Sequence, residues 1–218
     1  MLEVRGRTLA ETGGERLRAR IGGRPVTVDL GAGDAAFAYR YAKAHPERFV
    51  IAIDPVRENM REQSARAAKK PERGGIDNLA CIVATAEAMP ADLRGIAGEV
   101  FVTLPWGSLM RGIILGEDAI IAGVASVCAP GARVRIVLNT RIFDDPVPVE
   151  ARDLPEVTPE YAREAIAPAL GRHGLRVLRA EWMEPDDVAR LDTSWAKRLS
   201  QRRPPRSVAI EATREPAL

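Results

Sequence analysis

The chain has 218 residues, 46% of them hydrophobic, with 32 basic and 30 acidic side chains and a formal charge of +2. That length can bury the core of one α/β domain without a partner. No apolar run approaches the roughly 18 residues of a membrane span, and "MLEVRGRTLAETGGE" lacks the apolar stretch and cleavage pattern of a secretory signal, which argues for a cytoplasmic chain that does not enter a membrane. Two cysteines, Cys81 in an apolar run and Cys128 just before a Pro-Gly, read as separate buried thiols, so a disulfide frame, redox chemistry and a metal knot are not expected. Net charge this small does not announce a polyanionic partner, but its distribution is uneven. "ARAAKKPERGG" (65–75) and "WAKRLSQRRPPR" (195–206) hold the dense basic clustering, while "FDDPVPVEARDLPEVTPE" (143–160) is acidic and rich in proline.

In chain order, residues 1–24 read as an N-terminal extension with room for a hairpin. The first strong strand pattern is "VTVDL" (26–30), followed by a helix from near Asp34 through "AAFAYRYAKA" that stops before Pro46. "FVIAID" (49–54) is the next strand, then a helix over about 57–70 ended by Pro71 and Gly74-Gly75. "LACIVA" (79–84) and "EVFVTL" (99–104) follow, the latter running into Pro105-Trp106 and small, turn-like residues. "EDAIIAGVASVCA" predicts a helix before Pro130-Gly131, and "RVRIVLN" (133–139) a fifth strand. Runs this apolar suit strands buried on both faces, hence a parallel sheet with helical crossovers.

Beyond the acidic connector the rhythm changes to a helix near 159–171, the strand "LRVLRAEWM" (175–183), a helix near 186–200 and the strand "SVAIEAT" (207–213). These late strands lack a long crossover and are expected to pair antiparallel at the end of the sheet. The expected architecture is one Rossmann-like α/β domain over 1–218, with a mostly parallel seven-stranded sheet, a late antiparallel strand, and insertions near 140–160 and 184–206.

"VDLGAGDAAF" (28–37) places Gly31, Gly33 and Ala36 in a G-x-G-x-x-A pattern between strand and helix, where glycines permit a tight turn and let a ligand lie against backbone. Alone the pattern is weak, since small residues there can serve packing only. Asp54 closes the next strand about 20 residues on, where a carboxylate can accept both hydroxyls of a ribose. A nicotinamide dinucleotide satisfies both features. Asp29 decides against it: a carboxylate immediately before the first glycine repels a pyrophosphate but suits an ammonium or a sulfonium. That favours S-adenosylmethionine.

The segments "VDLGAGDA", "AIDP", "ATAEAMP" and "TLPW" at successive strand ends resemble the class I S-adenosylmethionine-dependent methyltransferase fold. The resemblance implies that the first motif holds the methionine part of the cofactor, Asp54 the ribose, and the backbone of Ala86 and Glu87 the adenine. Thr85 stands where many members carry Asp. The fourth strand then ends at the acceptor. Amino-directed nucleic-acid methyltransferases often carry Asp or Asn there, followed by Pro-Pro and an aromatic residue, because an oxygen must accept from the exocyclic amine. Here the position is Leu104, placed beside the cofactor but unable to accept a hydrogen bond.

Trp106 still offers a face on which a base can stack, and Trp195 in "DTSWAKRL" offers a second, flanked by Lys197 and Arg198. Both are candidate catalytic residues, whereas Trp182, inside an apolar strand, is assigned to packing. A ring nitrogen such as adenine N1 carries an in-plane lone pair and needs no general base before transfer. His45 and His173 read as helix-end or turn residues, so catalysis reduces mainly to proximity and alignment.

Arg66, Lys69, Lys70 and Arg73 recur at the spacing of one helical face and the end that follows it, where a solvated basic helix end is the competing reading. Lys197, Arg198, Arg202, Arg203 and Arg206 surround the second stacking candidate, and charge beside an aromatic platform is the stronger sign of RNA contact. Together "IDPVRENM", "KKPERGGIDNL", "ATAEAMP", "LPWGSL" and "SWAKRL" resemble the kanamycin-apramycin resistance family, the methyltransferases that modify N1 of adenine 1408 in 16S rRNA. That resemblance implies that Trp106 and Trp195 sandwich a flipped adenine and that Ser108 and Thr193 line the cofactor site. It also implies that both basic patches dock a monomeric enzyme on the decoding region of the assembled small (30S) ribosomal subunit. The alternatives are a methyltransferase of the same fold acting on another rRNA or tRNA base, such as guanine N7, a nucleotide-dependent oxidoreductase, and a noncatalytic RNA-binding protein.

Overall fold

The structure is a computed structural model that describes residues 1–140, 142, 149–184, 187 and 206–216. Leu2–Arg5 (β1) and Thr8–Glu11 (β2) form a hairpin whose turn, Gly6-Arg7, uses Gly6 at φ 61°. Gly14–Ile21 (α1) follows, then Val26–Leu30 (β3), Ala36–Ala44 (α2), Phe49–Asp54 (β4) and Arg57–Ala67 (α3). Leu79–Val83 (β5) and Ala97–Thr103 (β6) lead to Gly107–Leu115 (α4), Asp118–Val127 (α5) and Cys128–Asn139 (β7). Pro159–Tyr161 (α6) passes through a π turn at Ala162–Ile166 into Ala167–Arg172 (α7), and Leu175–Met183 (β8) and Ser207–Arg214 (β9) close the order.

Among the described residues nine strands form one sheet of order β2-β1-β5-β4-β3-β6-β7-β9-β8. The five central strands run parallel, and the hairpin at one edge and β9 and β8 at the other run antiparallel to their neighbours. The count is nine rather than seven because the N-terminal segment is not an appendage: β1 pairs with β5, with Val4 opposite Cys81, and carries β2 with it. The antiparallel pairing of the late strands is as the sequence implied.

Alternation along β4 shows why the central runs are uniformly apolar. Phe49, Ile51 and Ile53 join the core under α1, α4, α5 and α7, whereas Val50 and Ala52 pack on the other face against Ala38, Tyr39 and Ala42 of α2 and Met60 of α3. Cys81 and Cys128 are free and buried, and burial pushes each thiol up to about 12, so neither is nucleophilic at neutral pH.

Three expectations fail locally. The small residues after Trp106 are not a turn but the start of α4, because Met110, Ile113 and Ile114 give them an apolar face to bury. The basic helix stops at Ala67, so Lys69, Lys70 and Arg73 lie in the following loop and do not share a helical face with Arg66. Trp182 is not a core residue: β8 is an edge strand, the ring is 36% exposed, and the Arg206 guanidinium lies 4.2 Å from its centroid. The predicted helix near 186–200 lies outside the described residues apart from Asp187. Among the described residues no helix is long and apolar enough to cross a membrane.

Candidate active site

The C-terminal ends of β3, β4, β5 and β6 open into a cleft of about 530 Å³, the edge of an α/β sheet where crevices form between diverging crossovers. Asp29, Gly31, Gly33, Asp54, Ala86, Glu87, Leu104, Trp106 and Ser108 all line it. Residues up to 80 positions apart in sequence therefore meet through strand order alone.

The glycine loop is drawn tight by two bonds from its backbone to the neighbouring strand: the Gly31 and Ala32 N–H groups donate to the Ile53 carbonyl at 2.9 and 3.0 Å. Gly31 has φ 76°, and a Cβ there would lie 2.7 Å from Leu109 Cδ2, so a side chain is excluded by both conformation and space. Gly33 (φ 56°) turns the chain again and donates its N–H to Asp54 Oδ2 at 2.8 Å, while the Val56 N–H donates to Asp54 Oδ1 at 2.9 Å. Each oxygen of Asp54 is thus fixed by one backbone donor and keeps a lone pair for a ligand. Burial raises the Asp54 carboxyl, and these two donors oppose that shift.

Asp29 is the more perturbed group. It is 3% exposed, and desolvation, with the charges of Asp54 and Asp34 added, raises its carboxyl to about 7. The causes acting on Asp29 all raise its carboxyl, and none of them is a positive side chain. A site built this way is poised to receive a cation, and the strained energetics are those expected of a functional position.

On the opposite wall, Glu87 is held below the usual carboxylate range by its own backbone N–H and by the Thr85 and Ser108 hydroxyls. Thr85 Oγ1 also accepts from the Ala88 N–H at 3.2 Å, so it shapes the loop. Leu104 occupies the left-handed region at φ 52°, which a leucine immediately before proline rarely adopts. Its buried side chain packs with Val137, Met183 and Ala209, and its N–H donates to the Val137 carbonyl at 2.8 Å. This conformation ends β6 abruptly and turns the chain so that Trp106, 44% exposed, stands at the mouth of the cleft as the N-cap of α4. A large ring left this exposed at a concave site suits a planar apolar partner.

Thr193, Trp195, Lys197, Arg198, Arg202 and Arg203 lie outside the described residues. Arg66 and Lys69 line a separate groove at the far end of α3, and Lys70 and Arg73 are exposed on the adjoining loop. Arg206 stacks on Trp182, lies 3.9 Å from Glu156, and accepts at its carbonyl from the Thr140 N–H and hydroxyl. Reasoning from sequence missed Phe37, Val56, Asn59 and Thr103, which also line the cleft. Val56 and Asn59 had a signal: they begin the helix that follows Asp54, and Val56 is an apolar residue 45% exposed there.

The chain matches the NpmA family of 16S rRNA (adenine(1408)-N(1))-methyltransferases over residues 3–214. A 16S rRNA (adenine(1408)-N(1))-methyltransferase of Streptoalloteichus tenebrarius is 40% identical over 178 residues, covering 82% of this chain and 81% of that protein. A tryptophan-to-alanine variant of the enzyme of that name from Catenulisporales acidiphilia, solved with its cosubstrate SAM, superposes with a TM-score of 0.92 at 34% identity, covering 99% of this chain and 97% of its own. The 16S rRNA methyltransferase KamB superposes with a TM-score of 0.90 at 37% identity, covering 99% and 100%.

Proposed function

Since the chain belongs to the 16S rRNA (adenine(1408)-N(1))-methyltransferase family, we propose how its cleft carries the methyl group of S-adenosylmethionine to N1 of adenine 1408, the modification that confers aminoglycoside resistance. The observation that carries the reading is the convergence of an uncompensated buried Asp29, a ribose-competent Asp54 and the exposed Trp106 on one cleft. The cofactor supplies an electrophilic methyl group on a sulfonium centre. Asp29 meets its ammonium, the backbone of Gly31 and Gly33 flanks its methionine part, Asp54 accepts from its ribose hydroxyls, and Ala86, Glu87 and Ser108 line the remaining wall with Leu104.

Trp106 stacks on the adenine, and Trp195 is proposed as the second face of the sandwich, with Thr193 beside the cofactor. Leu104 supplies no acceptor, which suits a ring nitrogen whose lone pair is already free. The protein's contribution is to align nucleophile and methyl in the cleft and to hold the base out of its stack. Methylated N1 adds bulk and positive charge to the edge that an aminoglycoside ring contacts. The chain acts as one catalytic unit over 1–218, a monomer in the cytoplasm, with insertions near 140–160 and 184–206. Arg66, Lys69, Lys70 and Arg73, together with Lys197, Arg198, Arg203 and Arg206, are proposed to contact the 16S rRNA of the 30S subunit.

The test is transfer of labelled methyl to isolated 30S subunits followed by reverse transcription through the decoding region. One polymerase stop beside a single adenine is expected. Label without a stop refutes N1 as the acceptor, and no label refutes the reading altogether.

A further inference from the structure

At the other end of the strands from the cleft, beside β5, the hairpin turn lies against the flank of α3. Buried Ser64 joins them: its hydroxyl donates to the Val4 carbonyl at 2.6 Å and accepts from the Gly6 N–H at 2.9 Å. A Cβ at Gly6 would sit 3.7 Å from Ala65, ordinary contact distance, so the turn touches the helix directly. Between them runs a groove of about 450 Å³ lined by Arg7, Arg61, Glu62, Ala65, Arg66 and Lys69.

Four cations, from the hairpin turn, α3 and the loop after it, thus line the groove with one carboxylate, Glu62. Arg7 and Lys69 are exposed and make no ion pair among the described residues; Arg61 has only Glu58, at 3.7 Å, which Arg57 also holds at 2.6 Å; Arg66 lies 4.7 Å from the Tyr39 ring centroid. Gathering like charges is unfavourable without a counter-charge, and the fold enforces it. The loop beyond is equally fixed. The Tyr39 hydroxyl donates to the Gly74 carbonyl at 2.6 Å, and the Gly75 and Ile76 N–H groups return to the Lys70 and Ala67 carbonyls at 3.0 and 2.9 Å. Among the described residues no aromatic ring lines the groove, so what they offer a polyanion is charge and not a stacking face.

We infer that this groove docks the phosphate backbone of small-subunit rRNA, so that the N-terminal hairpin, through Arg7 together with Arg61, is part of the surface that recognises the ribosome. The inference rests on the rRNA reading above and extends its contact surface to an element that the basic clusters in the sequence do not include. It assigns the hairpin a purpose beyond sheet closure: β1 and β2 carry Arg7 to a place where α3 alone presents a one-sided charge.

The experiment measures binding of the full chain and its Arg7→Ala, Arg7→Glu, Arg7→Lys and Arg61→Ala variants to 30S subunits over a series of salt concentrations, with cofactor calorimetry and thermal melts alongside. Arg7→Ala is expected to weaken 30S binding by roughly fivefold at low salt and to reduce the slope of log affinity against log salt by about one. Arg7→Glu should weaken it further, Arg7→Lys should restore it, and cofactor affinity should not move. Wild-type protein that neither binds nor methylates 30S subunits would overturn the rRNA reading and this inference with it. Wild-type protein that does both, with Arg7 and Arg61 variants matching it in affinity and salt slope, would overturn this inference alone.

Discussion

Asp29 makes cofactor affinity depend on pH in a way that can be worked from its surroundings. In the free protein desolvation, Asp54 and Asp34 hold its carboxyl at about 7, and the ammonium it is proposed to meet requires the ionised form. Apparent affinity then scales with the ionised fraction, which is about three-quarters at pH 7.5 and about 3% at pH 5.5, a loss of roughly 25-fold. Protonation of Asp54, also raised by burial, acts in the same direction at the lower end. Near pH 7 binding should release about half a proton, because the arriving cation pulls the carboxyl down. Calorimetry in buffers of different ionisation enthalpy reads both quantities, with Asp29→Asn as the variant that should bind weakly and flatten the profile. An affinity that stays constant from pH 7.5 to pH 5.5, or an Asp29→Asn protein that keeps the wild-type slope, would refute the assignment of a cation to this carboxylate.

The same residue should limit stability. A carboxyl whose folded-state value lies above its unfolded one favours the fold only while protonated, so stability falls as pH rises from about 4 through about 7; Asp29→Asn should therefore melt higher than wild type at pH 8, by an amount on the order of 4 kcal/mol at most. Trp106→Ala should cut transfer to 30S subunits by roughly 5- to 150-fold, the equivalent of about 1–3 kcal/mol of stacking, with an unchanged cofactor isotherm; equal transfer would remove the ring from the acceptor site. Asp54→Ala should weaken cofactor binding and also loosen the glycine loop, seen as faster hydrogen exchange at Gly33 and Val56, whose N–H groups it accepts from. Gly75→Ala would place a Cβ 1.7 Å from the Lys69 carbonyl, and should lower the melting temperature by several degrees and weaken ribosome binding while leaving the cleft intact.

How much of this was written in the sequence depends on the range of the interaction. The parallel core was legible because strands buried on both faces admit no polar position, as Val50 and Ile51 show by facing different cores. The glycine loop and Asp54 were legible because their spacing is set by one strand-helix-strand unit. What failed was decided by neighbours distant in sequence. Whether residues 1–11 join the sheet turns on β5, with Leu2 paired to Val83 and Val4 to Cys81, and nothing local in "LEVR" or "TLAE" encodes that pairing. Trp182 reads as core because its neighbours are apolar, yet β8 lies at the edge of the sheet, beyond β9, and the Arg206 guanidinium stacks on the ring. Leu104 reads as the last residue of a strand; its left-handed turn, which aims Trp106, follows from a tertiary bond to Val137.

Helix α3 links the two functional ends of the molecule. Asn59 in its first turn lines the cofactor cleft, and Arg66 in its last turn lines the basic groove, about 10 Å along the axis at 1.5 Å per residue. Its buried residues Met60 and Ala67 are anchored in one core, and Ser64 fastens its flank to the hairpin. Sites that far apart on a rigid element, with no shared partner, contribute independently. Combining Arg7→Ala with Asp54→Ala should therefore weaken 30S binding only through the first substitution and cofactor binding only through the second, with the losses adding to within about 0.5 kcal/mol. A larger interaction term would mean that α3 shifts when the ribosome engages its far end, and would make docking itself a control on cofactor affinity.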